Sequence, residues 1–200
     1  MSEDIVESAD AASVAPLVAI VGRPNVGKST LFNRLTRTRQ AIVEDKPGVT
    51  RDRLYGVATY DDRSYLVVDT GGLDPHLNSG LPADIQVQAE IAVGEADLIL
   101  MVIDCTDGVT AVDHDIAAIL RRAGKPVLVV ANKADNPARE LEATSAHELG
   151  LGEVIAVSAA HGHNVGELCE AVAAQVDAPE GADISAIPPG TRIAFFGKPN

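Results

Sequence analysis

The chain contains no tryptophan and only three phenylalanines and three tyrosines among its 200 residues. Any interior must therefore be filled by Val, Ile, Leu and Ala. Aliphatic runs of that kind suit strands covered on both faces, which points to a parallel sheet. Cysteine is scarce as well: Cys105 and Cys169 stand far apart in apolar surroundings and fit no metal or redox spacing, so they are expected to be reduced thiols. No stretch approaches the roughly 18 uninterrupted apolar residues that a membrane span needs. The first fifteen residues carry Glu3, Asp4, Glu7 and Asp10 with no basic residue, which reads as a disordered acidic tail and not as a secretory signal. These absences predict a soluble cytoplasmic protein with no membrane contact. Positive charge is also short. Sixteen Lys and Arg against 29 Asp and Glu give a net charge of −13, which argues against DNA binding and against this chain gripping nucleic acid by itself.

What is present alternates. The apolar run Leu17–Val21 reads as a strand, Lys28–Leu35 as a helix with Leu31, Phe32 and Leu35 on one face, and Thr36–Arg53 as a long polar loop. Tyr55–Tyr60 and Ser64–Asp69 read as a hairpin turning at Asp61-Asp62-Arg63, with a helix across Ala83–Glu95 after a further loop. Strands at Leu98–Ile103, Pro126–Val130 and Val154–Val157 then alternate with helices at Val112–Ala123, Ala138–Leu149 and Val165–Val176. This order predicts an α/β fold of the P-loop NTPase kind. It implies a mostly parallel six-stranded sheet with one antiparallel edge strand and helices on both faces. The domain is expected over 16–177, after the tail at 1–15. Pro, Gly, Ala and Asp dominate 178–190, a linker. Beyond it, Gly197, Pro199 and Asn200 repeat the spacing of Gly22, Pro24 and Asn25. Residues 191–200 thus read as the start of a second, truncated copy, and the chain as a fragment of a two-domain protein.

Gly22-Arg23-Pro24-Asn25-Val26-Gly27-Lys28-Ser29 fits GxxxxGK[ST], placed after a strand and opening a helix that continues through Thr30. Glycines allow backbone N–H groups to turn inward around phosphates, and the helix N-terminus favours their charge. Lys28 is expected at the β- and γ-phosphates and the Ser29 hydroxyl on Mg²⁺. Asn132-Lys133-Ala134-Asp135 follows an apolar strand and selects the base. The Asp135 carboxylate can accept from both N1–H and the 2-amino group of guanine, whereas adenine would leave a buried Asp135 unpaired, at a cost of about 1–3 kcal/mol or more. Asn132 is expected to tie this loop to the phosphate loop, and the Lys133 stem to lie over the base or ribose. Ser158-Ala159-Ala160 would offer the Ala159 N–H to guanine O6. The ligands are therefore GTP and GDP, not ATP.

Asp69-Thr70-Gly71-Gly72 ends a strand. Asp69 is expected to hold Mg²⁺ through water, Gly72 N–H to meet the γ-phosphate, and Thr50 to be a second hydroxyl on the metal. Loops held only by γ-phosphate and Mg²⁺ form an order–disorder switch. Leu73 follows Gly72, where many small GTPases carry a glutamine that positions the attacking water. Leucine cannot do that. Asn25, beside the phosphates, is a candidate to help hold a monovalent cation, which makes K⁺-stimulated hydrolysis the hypothesis. The catalytic candidates are thus Lys28, Asn25, Thr50 and Gly72, and the metal candidates Ser29, Thr50 and Asp69. A nucleotide-gated binding module with negligible hydrolysis is the alternative that Leu73 favours. His161 and His163 read as loop histidines without a role, and His76 and Asp74 are given no catalytic function. Asp104, Asp107 and Asp113 read as turn and helix-start residues in preference to a metal cluster.

Residues Ala41 to Arg53 (AIVEDKPGVTRDR), with Gly22–Ser29 and Asp69–Gly72, resemble the bacterial Der (EngA) GTPase family, and the Pro-Gly-Val-Thr-Arg-Asp string around Thr50 is the specific part. A second domain opening Gly-Lys-Pro-Asn is similar to that family's own arrangement, so the resemblance runs from about Leu17 to Asn200. It implies two G domains and a C-terminal KH-like domain in the whole protein, and a GTPase acting in assembly of the large ribosomal subunit. The partner so implied is that subunit or its rRNA-containing precursor, engaged by the full-length protein. The family's hydrophobic residue in place of glutamine and its K⁺ dependence match Leu73 and Asn25.

Overall fold

The computed structural model describes residues 15–36, 54–70, 89–90 and 92–176. Thr50, Gly71, Gly72, Leu73, Asp74 and His76 lie outside these residues, as do residues 1–14 of the acidic tail, the linker and the repeat at 191–200. The tail's last residue, Ala15, is buried beside Val57 and Leu66. In chain order the elements are β1 (Leu17–Val21), α1 (Lys28–Thr36), β2 (Leu54–Tyr60), β3 (Arg63–Asp69), β4 (Leu98–Asp104), α2 (Ala111–Ala123), β5 (Val127–Asn132), α3 (Pro137–Glu142), a 3₁₀ segment (Ala143–Leu149), β6 (Val154–Ala156) and α4 (Val165–Gln175).

The six strands form one sheet in the order β2-β3-β1-β4-β5-β6. Among the described residues four pairings are parallel, and only β2 runs antiparallel, at the edge against β3. The expected architecture is borne out. The hairpin turns on Asp61 and Asp62, both at positive φ, as a tight two-residue connection between right-twisted strands requires.

Alternation along the strands sorts the aliphatic residues onto two cores. Val18, Ile20, Leu98, Leu100, Val102, Leu128 and Val130 pack against Leu31, Phe32 and Leu35 of α1 and Leu168 and Val172 of α4. Their neighbours Ala19, Val21, Ile99, Met101, Ile103 and Val129 pack against Ile116, Ala117 and Leu120 of α2, and against Ala146 and Leu149. Helices therefore cover both faces. Each fully buried Leu or Ile contributes about 1.5–3 kcal/mol of transfer free energy.

Capping sets the helix ends. The Thr110 and Asp113 side chains satisfy each other's backbone N–H groups at the start of α2, and Gly124 at φ 66 stops it. Asn136 caps α3, with Pro137 in its first turn. One departure from expectation lies between Ala138 and Leu149, read from sequence as a single helix. The α-helix ends at Glu142, and the next seven residues tighten into 3₁₀ geometry. Thr144 Oγ1 donates to the Leu141 carbonyl and Ser145 Oγ to that of Glu142, local bonds that compete with α-helical pairing. Ala143, Ala146 and Leu149 are the buried residues, a spacing of three that suits the tighter helix.

Candidate functional site

Every expected site residue among those described lies at the carboxyl end of the parallel strands. There β1 has its successors on opposite sides, β3 on one and β4 on the other. Crevices at such reversals are where open α/β sheets receive ligands.

The phosphate-loop sequence leaves β1 at Gly22, whose φ is 150; a Cβ there would run into the Val102 carbonyl of β4. At Gly27, with φ 96, a Cβ would strike the Asn132 carboxamide. Both positions need glycine, the first for approach to a neighbouring strand and the second for approach to the Asn132 side chain. Asn25 also has positive φ, 66, and is exposed together with Pro24. Val26 is buried. Arg23 reaches sideways: its guanidinium sits 2.9 Å from Asp107 and 3.4 Å from Asp113, tethering the loop to the start of α2. Lys28 opens α1 and folds over the loop, donating to the carbonyls of Gly22 at 2.7 Å and Arg23 at 2.9 Å. Burial pushes its ammonium below the ordinary lysine range; Asp69 opposes that and Arg23 reinforces it. Ser29 Oγ donates to Asp69 Oδ2 at 2.7 Å. Asp69 is held in place partly by the next residue, since Thr70 Oγ1 donates to the Ile20 carbonyl of β1 at 2.7 Å. Thr30 is exposed on the first turn of α1.

The half expected to read the base is joined to this loop by the buried Asn132 side chain. Asn132 is the last residue of β5, two positions beyond the strand end expected from sequence. Its Nδ2 donates to the Val26 carbonyl at 2.8 Å, and its Oδ1 accepts from the Ala159 N–H at 3.0 Å. The expected tie between the loops is present. Lys133, at φ 68, pairs through Nζ with Asp104 at the end of β4. Burial raises the Asp104 carboxyl, but the Lys133 ammonium and the Thr106 hydroxyl and N–H outweigh it and leave the group below the usual range. Asp135 Oδ1 accepts from Ser158 Oγ at 2.6 Å and lies 3.2 Å from His161 Nδ1; Arg139 is 3.8 Å from Oδ2. The Ser158 hydroxyl first, then His161 and Arg139, holds the Asp135 carboxyl low despite a smaller opposing effect of desolvation.

Three expectations need correction. Asp135 is not buried here: its side chain is 36% exposed, so any discrimination by desolvation has to arise when a base covers it. The Ala159 N–H, expected at guanine O6, is engaged by Asn132 inside the protein, and Ala159 is fully buried. The exposed residue of the turn is Ala160. His161, read as a loop histidine without a role, stands against Asp135 and Ser158 Oγ, the latter at 2.9 Å. Its place is set by a turn in which Gly162 N–H donates to the Ser158 carbonyl at 2.7 Å, a contact that no sequence spacing announces. Asp104, Asp107 and Asp113 serve a lysine, an arginine and a helix cap, and no group of three metal-ligating side chains is found among the described residues. Sequence reasoning also missed Arg34, whose Nε donates to the Ala159 carbonyl at 2.9 Å and whose Nη2 donates to that of Ala160.

Comparison with known proteins points the same way. The family described as "50S ribosome-binding GTPase" matches residues 17–133. "GTPase Der" of Heliobacterium modesticaldum (strain ATCC 51547 / Ice1) is 53% identical over 186 residues, covering 92% of this chain and 42% of that protein. "GTPase Der" of Azoarcus sp. (strain BH72) is 52% identical over 185 residues, with the same coverage. Among solved structures, Era in complex with MgGDPNP and nucleotides 1506-1542 of 16S ribosomal RNA superposes with a TM-score of 0.66 at 36% identity, over 84% of this chain and 58% of that one. The chain thus spans about two fifths of the length of the curated relatives it matches.

Proposed function

The chain belongs to the 50S ribosome-binding GTPase family, and from that premise we propose that residues 16–177 bind GTP and GDP and hydrolyse GTP as a molecular switch. The observation that carries this reading is the double hydrogen bond of Asn132, which makes the phosphate loop and the guanine-reading loops one rigid unit. In this reading Lys28 and the backbone of Gly22–Thr30, with an N–H at every position but Pro24, receive the phosphates. Asp135 accepts from the guanine N1–H and 2-amino groups, the Lys133 stem covers the base, and the Ser158–Ala160 turn meets O6.

Ser29 Oγ and the Asp69 carboxylate, already in contact at the foot of the loop, form an oxygen-rich pair of the kind Mg²⁺ accepts while retaining water. Thr50 is the third metal candidate. When bound, Mg²⁺ neutralises phosphate charge. Gly72 offers its N–H to the γ-phosphate. Leu73 cannot orient water, so Asn25 is assigned to a K⁺ ion that supplies the missing positive charge. The family description as 50S ribosome-binding fits a role in assembly of the large ribosomal subunit, carried out by the longer protein on that subunit or its rRNA-containing precursor. No part of this reading involves a membrane or DNA.

Titration with labelled GDP, competed by ATP, in K⁺ and Na⁺ buffers tests the proposal. Tight GDP binding untouched by excess ATP is expected; equal competition by ATP sinks it. Leu73 favours one other reading, a nucleotide-gated module with negligible hydrolysis. Steady-state phosphate release in KCl no higher than that of Lys28→Ala would select the module.

A further inference from the structure

The Ser158–Ala160 turn reads a base only if its outward amide is aimed, and nothing assigned so far does the aiming. Ser158 N–H is taken by the His163 carbonyl at 3.1 Å and the Ala159 N–H by Asn132. No hydrogen bond to the Ala160 N–H is found among the described residues, and Ala160 is exposed. In a trans peptide the N–H points opposite the preceding C=O. The Ala159 carbonyl therefore fixes the direction of the Ala160 N–H, and that carbonyl is the one Arg34 Nε holds at 2.9 Å. Arg34 Nη2 holds the Ala160 carbonyl in turn. The planar fork of a guanidinium can restrain two successive carbonyls at once, which a lysine cannot.

We propose that Arg34, on the helix that begins at the phosphate loop, is a positioning residue for guanine recognition: it clamps both carbonyls of the turn, aims the Ala160 N–H at position 6 of the base and polarises it. The proposal rests on the guanine-nucleotide reading above. A charged donor on the carbonyl strengthens the N–H on the far side of the same peptide. Arg34 also lines the groove between α1 and this turn, with Thr30, Asn33, Ala159 and Ala160. Its guanidinium packs over Gly162, where a Cβ would lie 3.4 Å from Nη1, so the clamp is seated on both the turn and its closing glycine. An N–H aimed at position 6 favours the keto oxygen of guanine and opposes the amino group of adenine.

The test is competition binding of GDP, IDP and ADP to the wild-type chain, Arg34→Ala and Arg34→Lys. IDP keeps O6 and lacks only the 2-amino group that Asp135 reads. In Arg34→Ala, GDP and IDP are expected to weaken together by about tenfold, the loss of one well-aimed hydrogen bond to a buried acceptor. Their mutual ratio stays unchanged, and the GDP-to-ADP preference narrows by the same factor. Arg34→Lys falls between, because one ammonium serves one carbonyl. In the GDP-bound protein, faster hydrogen exchange at Ala159 and Ala160 accompanies the loss. A wild-type chain without preference for GDP over ADP overturns the guanine reading itself. A wild-type preference that survives in both variants within twofold overturns the role of Arg34 and leaves that reading standing. Should Arg34→Ala fail to fold, the same ratios in Arg34→Lys decide.

Discussion

Asn132 Nδ2 donates to the Val26 carbonyl across 2.8 Å, bridging the end of β5 to the middle of the phosphate loop. Both residues are buried. Removing the carboxamide leaves that carbonyl and the Ala159 N–H without partners in a place water does not reach.

Asn132→Ala is therefore expected to cost about 2–4 kcal/mol of folding stability, the penalty for two stranded buried groups. It is also expected to weaken GDP binding by about a hundredfold or more. Urea denaturation followed by GDP titration of the surviving folded protein checks both. A change confined to stability would mean that the two halves of the site do not act together.

The carboxylate of Asp135 has its own signature. Asp135→Asn replaces one acceptor oxygen with a donor, which clashes with the guanine 2-amino group and suits the 2-keto oxygen of xanthine. GDP is expected to weaken by about 10–100-fold while XDP gains. Competition between the two diphosphates reports the outcome, and a variant that keeps its GDP preference refutes the assignment.

Hydrolysis by residues 16–177 is expected to run about tenfold faster in KCl than in NaCl. Asn25→Ala is expected to equalise the two rates without loss of GDP binding. Phosphate release at matched ionic strength measures this, and equal rates in the wild-type chain remove Asn25 from the mechanism.

The Asp104–Lys133 pair makes a pH prediction. The Asp104 carboxyl lies below the ordinary value of 3.8 in the folded chain, so at acid pH the folded form binds fewer protons than the unfolded one. Its contribution to stability is full above that ordinary value and drains away as pH falls through the folded one. Asp104→Asn is expected to flatten the acid limb of a plot of Tm against pH and to lower Tm near neutrality. An acid limb unchanged by the substitution would show that the pair carries no such linkage.

Much of this architecture was legible because it depends on local pattern. Aliphatic runs such as Leu98–Ile103 mark strands closed on both sides, and Gly22–Ser29 sits at a strand-to-helix junction that only glycine geometry allows. The tie that Asn132 makes between the two loops was legible by spacing and context. What escaped was set by folding back. Arg34 meets the Ala159 carbonyl, and His161 meets Asp135, across turns whose shape no run of residues encodes. The exposure of Asp135 escaped for the same reason, since a side chain's access to water depends on everything packed around it. The Ala138–Leu149 error was different: helix-favouring composition concealed the Thr144 and Ser145 hydroxyls that tighten the chain.

Every residue of β4 is buried, and this has a bearing on how the strand finds its alignment. In a half-exposed strand, a slip of one residue throws apolar groups into water and is corrected by that penalty. In β4 the same slip trades one aliphatic set for another, and hydrophobicity barely notices. The polar residues at its two ends have to act as stops. Asp97, just before the strand, accepts from the Leu17 N–H at 2.8 Å, and Asp104 closes it on Thr106 and Lys133. A carboxylate that serves a turn and a lysine is thus also a spacer against misthreading, one of two that hold the central strand to its alignment.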